Sequence, residues 1–285
     1  MKTSVNCTDV KGVKIAYEIF DTVDELVEAN RKEHHKRNSD TMTVAEFDDT
    51  RWRGCRNYNE AENLAIHGWQ DALEKSEFKN FYNKNYGEEN KLVKLKNDVV
   101  GFAPIVPNVL RGIPNCMINV EKRKVKSKII HIVYNISAIA RYSGDSIMKA
   151  GMKLVSAIVP LEQQGFRIKL TAMQDFTGCD KSKGTDIFFI NLKNEYKKLD
   201  LYSTMFPLMH TAMFRVIGFA WHERSPVCRD WGMGYGTSFE NVYSEEQMVK
   251  CLQTIFKTQE VKYICSETIM DKDMSVEEIQ EFLLK

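Results

Sequence analysis

No hydrophobic run in this chain approaches the roughly 20 residues needed to cross a bilayer. The opening stretch MKTSVNCTDVKG also lacks the apolar core of a secretory signal. Both absences predict a protein made and kept in a cytoplasm. Excess charge is missing as well: 40 basic against 39 acidic residues leave a formal +1 over 285 residues. No bulk field therefore draws the chain to nucleic acid or to a membrane surface. None of the seven cysteines (Cys7, Cys55, Cys116, Cys179, Cys228, Cys251, Cys265) stands in a C-x-x-C pair. An odd, dispersed set of this kind reads as free thiols in a reducing compartment. There are no internal repeats, no low-complexity tracts and no Walker pattern. His222-Glu223 is not followed by the second histidine of the H-E-x-x-H zinc motif.

What is present is a core. Hydrophobic content of 43% and aromatic content of 11% exclude disorder and supply a large apolar interior. The most informative stretch is Lys128–Ala172. It reads as strand KIIHIVYNIS, helix SIMKAGMKLVSAIVPLEQQG and strand FRIKLTA, with a further strand TDIFFINL at Thr185–Leu192. Strands alternating with helices predict an α/β fold, three layers deep around a mainly parallel, Rossmann-like sheet. The continuous apolar runs predict that Ile130, Ile132, Val133, Phe188, Phe189 and Ile190 are buried in adjacent strands.

The remainder is organised around that unit. Residues 1–97 read as a smaller α+β segment, and residues 98–285 as the α/β domain. Val13–Phe20 alternates like a strand. A helix to about Arg37 follows, capped by Asp21 or Thr22 with Glu25 in a capping-box pattern. Asn59 is expected to cap a second helix that Gly68 ends, with Trp52 and Trp69 beside it. Gln70–Asn85 reads as helix and Gly87–Asp98 as a linker. Proline is scarce, yet three of the six fall within Asp98–Asn119, which predicts a covering segment laid across the sheet edge with a short helix at Pro107–Leu110. Ser203–Arg215 reads as helix, Val216–Glu223 as a buried strand and Val261–Cys265 as a last strand. Capping boxes at Ser244/Gln247 and Ser275/Glu278 open two further helices.

Candidate sites follow from this layout. His210, Arg215, His222, Glu223 and Arg224 form the densest polar cluster near an expected strand end. They are candidates for anion binding or acid–base work; the alternative is an ion-paired exit from the sheet. The loops after Tyr134, after Ala172 and after Ala220 are expected on one rim, which brings Asn135, Ser137, Asp175, His222, Glu223 and Arg224 together. Trp231–Thr237 is a G-x-G-x-G loop without the helix that a dinucleotide fingerprint requires at once after it. The basic runs Glu121–Lys128 and His34-His35 read as solvated surface.

Asn135-Ile136-Ser137-Ala138-Ile139 closes the first strand of the unit, and there the chain resembles a von Willebrand factor A-like domain. That family ends its first strand in a D-x-S-x-S metal motif followed by a long helix. Here Asn135 stands at the Asp position and Ile139 at the second Ser. The resemblance therefore implies a degenerate site and no bound metal, since a hard cation wants charged oxygen ligands. A wider resemblance carries Trp52-Arg53-Gly54, the run from Asn59 to Trp69, V-P-x-V-L-x-G-I-P-N-C-M, A-I-V-P-L-E-Q-Q-G, M-H-T-A-M-F-R and F-A-W-H-E. Their order is similar to that in a family of uncharacterised bacteriophage and prophage proteins. That implies a phage origin and a place in the host cytoplasm or the virion. No catalytic residue and no cofactor is carried across.

The expectation is thus a phage-encoded, non-enzymatic binding or assembly protein that holds a protein partner at its strand-end loops. A nucleotide- or phosphate-ester-processing enzyme is the alternative, and a virion structural component the second. Nucleic acid ranks behind protein as a partner, and no membrane is involved.

Overall fold

The computed structural model describes residues 6–10, 12–33, 50–69, 95–120, 128–178, 184–197, 199–224, 238–239 and 242–285. Its first part comprises β1 (Asn6–Val10), β2 (Val13–Phe20), α1 (Val23–Glu33), α2 (Thr50–Arg53) and α3 (Tyr58–His67). Next come β3 (Leu95–Asp98), β4 (Ala103–Pro104), α4 (Val106–Leu110) and β5 (Met117–Val120). The central unit is β6 (Ile129–Asn135), α5 (Gly144–Gln163), β7 (Arg167–Thr177) and β8 (Thr185–Lys193). It is followed by α6 (Leu201–Met209), a π-helix (Met213–Gly218) and α7 (Phe219–Arg224). The last elements are α8 (Glu245–Phe256), β9 (Val261–Cys265), α9 (Ser266–Asp271) and α10 (Val276–Leu284).

Two sheets result: six strands in the order β1-β2-β8-β7-β6-β9, and three in the order β3-β5-β4. In the large sheet β6 pairs parallel with both β7 and β9, and β2 parallel with β8. The β1–β2 and β7–β8 pairings are antiparallel. The sheet is thus mixed and mostly parallel, as an α/β chain predicts. Thr185–Lys193 departs from the pattern by folding back on β7, since the connection between Thr177 and Thr185 is shorter than the dozen or so residues a parallel crossover needs. All six residues expected in the core are buried. They are not in adjacent strands, however, since β7 lies between β6 and β8.

The sheet is covered on both faces, which explains the unbroken apolar runs. Ile130, Ile132, Tyr134, Phe188 and Ile190 face a core built with α1, α3, α5, α6, the π-helix and α7. Val133, Ile187 and Phe189 face the opposite core with Met248, Leu252 and Ile255 of α8. Residues from the first hundred, among them Phe20, Leu26 and Tyr58, share the first core with α5.

Three expectations are corrected by these elements. Val216–Glu223 is helical throughout, π then α, because a fully buried apolar run shows no periodicity that separates helix from strand. Ser203–Arg215 is not one helix: α6 ends at His210, whose backbone is extended at φ −104°, ψ 130°. The second helix is capped by Asn57, which accepts from Glu60 N, and not by Asn59. Thr22 accepts from Glu25 N as the capping box requires, while the Glu25 carboxylate reaches back to Asp21 N. Both later capping boxes form as expected. The expected helix Gln70–Asn85, the glycine loop Trp231–Thr237, His34-His35 and most of the basic run lie outside the described residues. Cys55, Cys116, Cys251 and Cys265 are free thiols.

One buried histidine sets a pH limit on the fold. His131 on β6 places Nε2 3.0 Å from Thr171 Oγ1, with its ring edge-on to Phe256. Burial first, and then the nearby Lys169 charge, lowers its pKa to about 4. The unfolded value is about 6.5, so the unfolded chain binds the proton more readily. The stability that His131 contributes is therefore present above pH 6.5 and lost as the pH falls through 4. Linkage puts that loss at about 3 kcal/mol. Urea denaturation between pH 7 and pH 4 should show it, and His131→Gln should flatten the profile. An unchanged slope in that variant would assign the acid sensitivity elsewhere.

Candidate functional site

β7 outruns β6. Asn135, the last residue of β6, is level with Met173, so Asp175 stands beyond the final rung. The chain leaving β6 turns beside it, with Asn135 Oδ1 accepting from Ser137 N at 3.0 Å. Asn135 Nδ2 donates to Asp175 Oδ1 at 2.6 Å and to the Tyr263 hydroxyl at 3.1 Å. Three neighbours thus fix the amide's orientation. The Asp175 carboxylate also accepts from Phe239 N at 2.7 Å, and from the Ser137 and Thr177 hydroxyls at 3.3 and 3.4 Å. Buried carboxylates persist only with such donors around them.

The Asn135 amide lies directly against the Asp175 carboxylate. No set of three His, Cys, Asp or Glu side chains suited to a metal occurs among the described residues. Asn135, Ser137, Asp175 and Thr177 form an internal hydrogen-bond cluster.

The loop that follows, Ser137–Tyr142, is held from two sides. Ser266 Oγ donates to Ser137 O at 2.6 Å, and Glu267 Oε1 accepts from Ile139 N at 2.6 Å. From the other side comes Arg215, buried on the π-helix. Its guanidinium donates to Trp52 O at 2.7 Å, Tyr142 O at 3.1 Å and Ile139 O at 3.3 Å. Its charge also lies 4.5 Å from the centre of the Trp52 ring. π-Helical turns concentrate at functional sites because they re-aim side chains at a cost in backbone bonding. Here that cost is offset by Gln174, whose Nε2 donates to Phe214 O at 3.0 Å. Gly218 makes room for this contact, since a Cβ there would stand 1.9 Å from Gln174 Oε1.

Between these elements lies a cleft of about 350 Å³. Trp52, Phe176, Phe214 and Phe219 give it apolar walls. Ser137, Asp175, Ser238, Glu267 and Arg53 give it polar points, and Ala138 and Ala140 sit at its edge. The arrangement suits the binding of a group with an apolar body and a polar end.

The expected rim is therefore half assembled. Asn135, Ser137 and Asp175 meet at the ends of β6 and β7, and Arg215 braces the adjoining loop. The other candidates lie elsewhere. His222 is fully buried, stacked on Phe176 at 4.2 Å, with Nδ1 3.2 Å from Asp186 Oδ2. Arg224 is buried against Glu18, and its Nε donates to Asn30 Oδ1 at 3.1 Å. Trp221 Nε1 donates to the same Glu18 oxygen at 2.6 Å. The alternative reading, an ion-paired structural cluster, describes Arg224. Glu223 between them is half-buried. His210 accepts from Ala212 N at 3.1 Å and stands edge-on to Trp69, bracing α3 against α6. His222, Glu223 and Arg224 were expected at the exit of a strand; because that segment is a buried helix, it sends His222 and Arg224 inward.

Sequence reasoning missed Trp52, Gln174 and Glu267 as cleft residues. Only Trp52 carried a local signal, as an aromatic in an otherwise polar stretch. A larger cavity, about 790 Å³, lies at the opposite rim by the carboxyl ends of β2 and β8. Much of its polar lining is committed to holding the chain. Lys193 is bound by Ile168 O, Asn194 O and Glu162, Asp21 takes Asn191, and Asp200 caps α6.

The fold is mixed α/β, with this cleft at the carboxyl ends of its central parallel strands. The chain belongs to the family described as a domain of unknown function, DUF7192, whose model matches residues 3–283. No curated protein and no solved structure matches it.

Proposed function

We propose that this chain is a phage-encoded, non-enzymatic binding or assembly protein that holds a protein partner in the cleft beside Ser137–Ala140. The observation that carries the reading is the bracing of that loop. Arg215, Ser266 and Glu267 commit five hydrogen bonds to its backbone and to the neighbouring Trp52 carbonyl. A loop immobilised beforehand loses little conformational entropy when a partner docks. The A-like part of the reading is supported by the long helix that follows β6 and by the Asn135/Ser137 turn at its end. The phage origin is supported by the ordered stretches from Trp52 to Glu223.

Ala138→Trp tests the cleft by filling it. A photo-crosslinker at Ala140 in infected cells should trap one partner with the native cleft and lose it with Ala138→Trp. A thermal-shift panel of nucleotides and phosphate esters runs beside it, since only a real ligand moves the midpoint by mass action. A midpoint raised by a nucleotide, with crosslinking indifferent to Ala138→Trp, would replace the binding-protein reading with the enzymatic one.

A further inference from the structure

The small sheet packs into neither core. No residue from Leu95 to Asn119 is buried, and none belongs to either core or packs against it. The expectation of a segment laid across the sheet edge is thereby corrected: the short helix forms, as α4, without a buried residue. Exposed apolar side chains are concentrated here. Of the fourteen large hydrophobics exposed among the described residues, seven fall between Val99 and Ile113. Phe102, Val100 and Leu110 are 68%, 73% and 83% exposed. A concentration of this kind marks a surface that meets something other than water. The seven also lie at one end of the sheet. β3 and β4 both finish beside Met117, where β5 begins. The connections 99–102 and 105–116 therefore leave the sheet at that end, and they carry all seven side chains. Gly101 lets the first connection lie directly on β5, since a Cβ there would stand 2.0 Å from Ile118 O.

Backbone, side chains and charge indicate together what covers this end. Its backbone asks little of water. Pro104, Pro107 and Pro114 carry no N–H, and Val99 N donates to Asp98 Oδ1. Phe102, Ile105, Asn108, Val109, Gly112 and Ile113 each donate to a carbonyl of the same segment. A loop in water has no need of such pairing, whereas one moved into hydrocarbon must have it. The exposed apolar side chains are aliphatic apart from Phe102. Trp and Tyr, the aromatics that dominate contacts between proteins, are absent from the whole stretch 95–120. The surrounding charge is basic. Although the chain as a whole is close to neutral, residues 91–128 hold nine Lys and Arg against two acidic residues. The chain joins the small sheet at the Leu95/Val120 pair, about 10 Å from Met117 at ~3.3 Å per residue. The basic flanks are thus attached behind the apolar end, while Arg111 is exposed at the close of α4. We infer that this end of the small sheet docks on an anionic lipid bilayer, inserting Val100, Phe102 and Leu110 while the surrounding positive charge attracts the headgroups. The contact is peripheral, because no helix among the described residues is long and apolar enough to cross. It replaces the expectation that no membrane is involved, and it is independent of what the cleft binds.

Vesicle flotation with the full-length chain tests this. Phosphatidylcholine vesicles containing about 30% phosphatidylserine should capture it, and phosphatidylcholine alone at least about tenfold less. Raising the salt to about 0.5 M should weaken capture, since the attraction is screened. Leu110→Asp and Val100→Asp should each cut capture on the anionic vesicles at least about tenfold. Both should leave the melting temperature unchanged, because neither side chain is buried. A wild type that stays in the aqueous phase would overturn the proposal. So would capture that survives both Asp substitutions, since charge alone would then account for it. Should the wild type ignore vesicles but self-associate, and Leu110→Asp make it monomeric, the apolar end would belong to a second copy of the chain instead.

Discussion

An Arg224→Met variant should lose about 3–5 kcal/mol of stability, the cost of leaving one partner of a buried ion pair uncompensated. Arg224 and Glu18 have side chains 5% and 2% exposed, so water cannot take over the missing partner's role. The Glu18 carboxylate would keep one donor, Trp221 Nε1. Asn30 would lose the Nε contact that complements its own bond to Ile217 O. Adding Glu18→Gln should recover much of the loss, since a neutral amide still accepts from Trp221 and carries no charge to desolvate. Urea denaturation of both single variants and the double gives the coupling directly. A double variant no more stable than Arg224→Met would mean that packing, not charge, dominates at this site. The folded fraction of each variant should bind at the cleft normally, because Arg224 does not line it.

Asn135→Asp should also be costly, on the order of 2–4 kcal/mol at neutral pH. The substitution replaces an N–H donor 2.6 Å from Asp175 Oδ1 with a second carboxylate. It also withdraws the donor that the Tyr263 hydroxyl accepts. Two carboxylates at that distance share a proton, which raises the pair's folded-state pKa above the unfolded value. The penalty relative to wild type is therefore full at neutral pH and shrinks as the pH falls toward the unfolded carboxylate range near 4. The same pair offers a hard cation what Asn135 denies it. Millimolar Mg²⁺ or Ca²⁺ should raise the variant's melting temperature and leave the wild type unmoved. Equal stability of variant and wild type at pH 7 would show that the amide does not face Asp175.

These two residues show how differently the site could be read. Asn135 and Ser137 were legible because they close a strand marked by an apolar run, and a residue at the end of a parallel strand lies at a known rim. Asp175 was expected in a loop after Ala172; it lies instead within β7, which runs on to Thr177. Arg224 was misplaced because the run before it, Val216–Trp221, is apolar all along its length. Such a run fits a two-sided strand and a fully buried helix equally well, and the choice is made by what surrounds it. Here α1 and α3 cover one side of the segment and the large sheet the other, which only a helix satisfies. The same distinction separates Asn57 from Asn59 as a helix cap. Both are asparagines with an acidic residue close by, and the register of the first turn decides between them.

By itself the sequence determined the central strand–helix–strand unit, the two-sided burial of β6 and β8, both later capping boxes and the polar turn at the end of β6. All of these are local: periodicity, composition and cap spacing act over a few residues and do not wait for the remainder of the chain. Only the tertiary structure decided that β8 turns back on β7, that β1 and β2 complete the large sheet, and that Arg215 braces the loop beside the cleft. It also set His222 and Arg224 inward and left the apolar residues of the small sheet outward. Those outcomes depend on groups distant in sequence, such as Trp52 and Arg215 or Glu18 and Arg224, whose pairing is set by competition for burial and for hydrogen-bond partners across the whole fold.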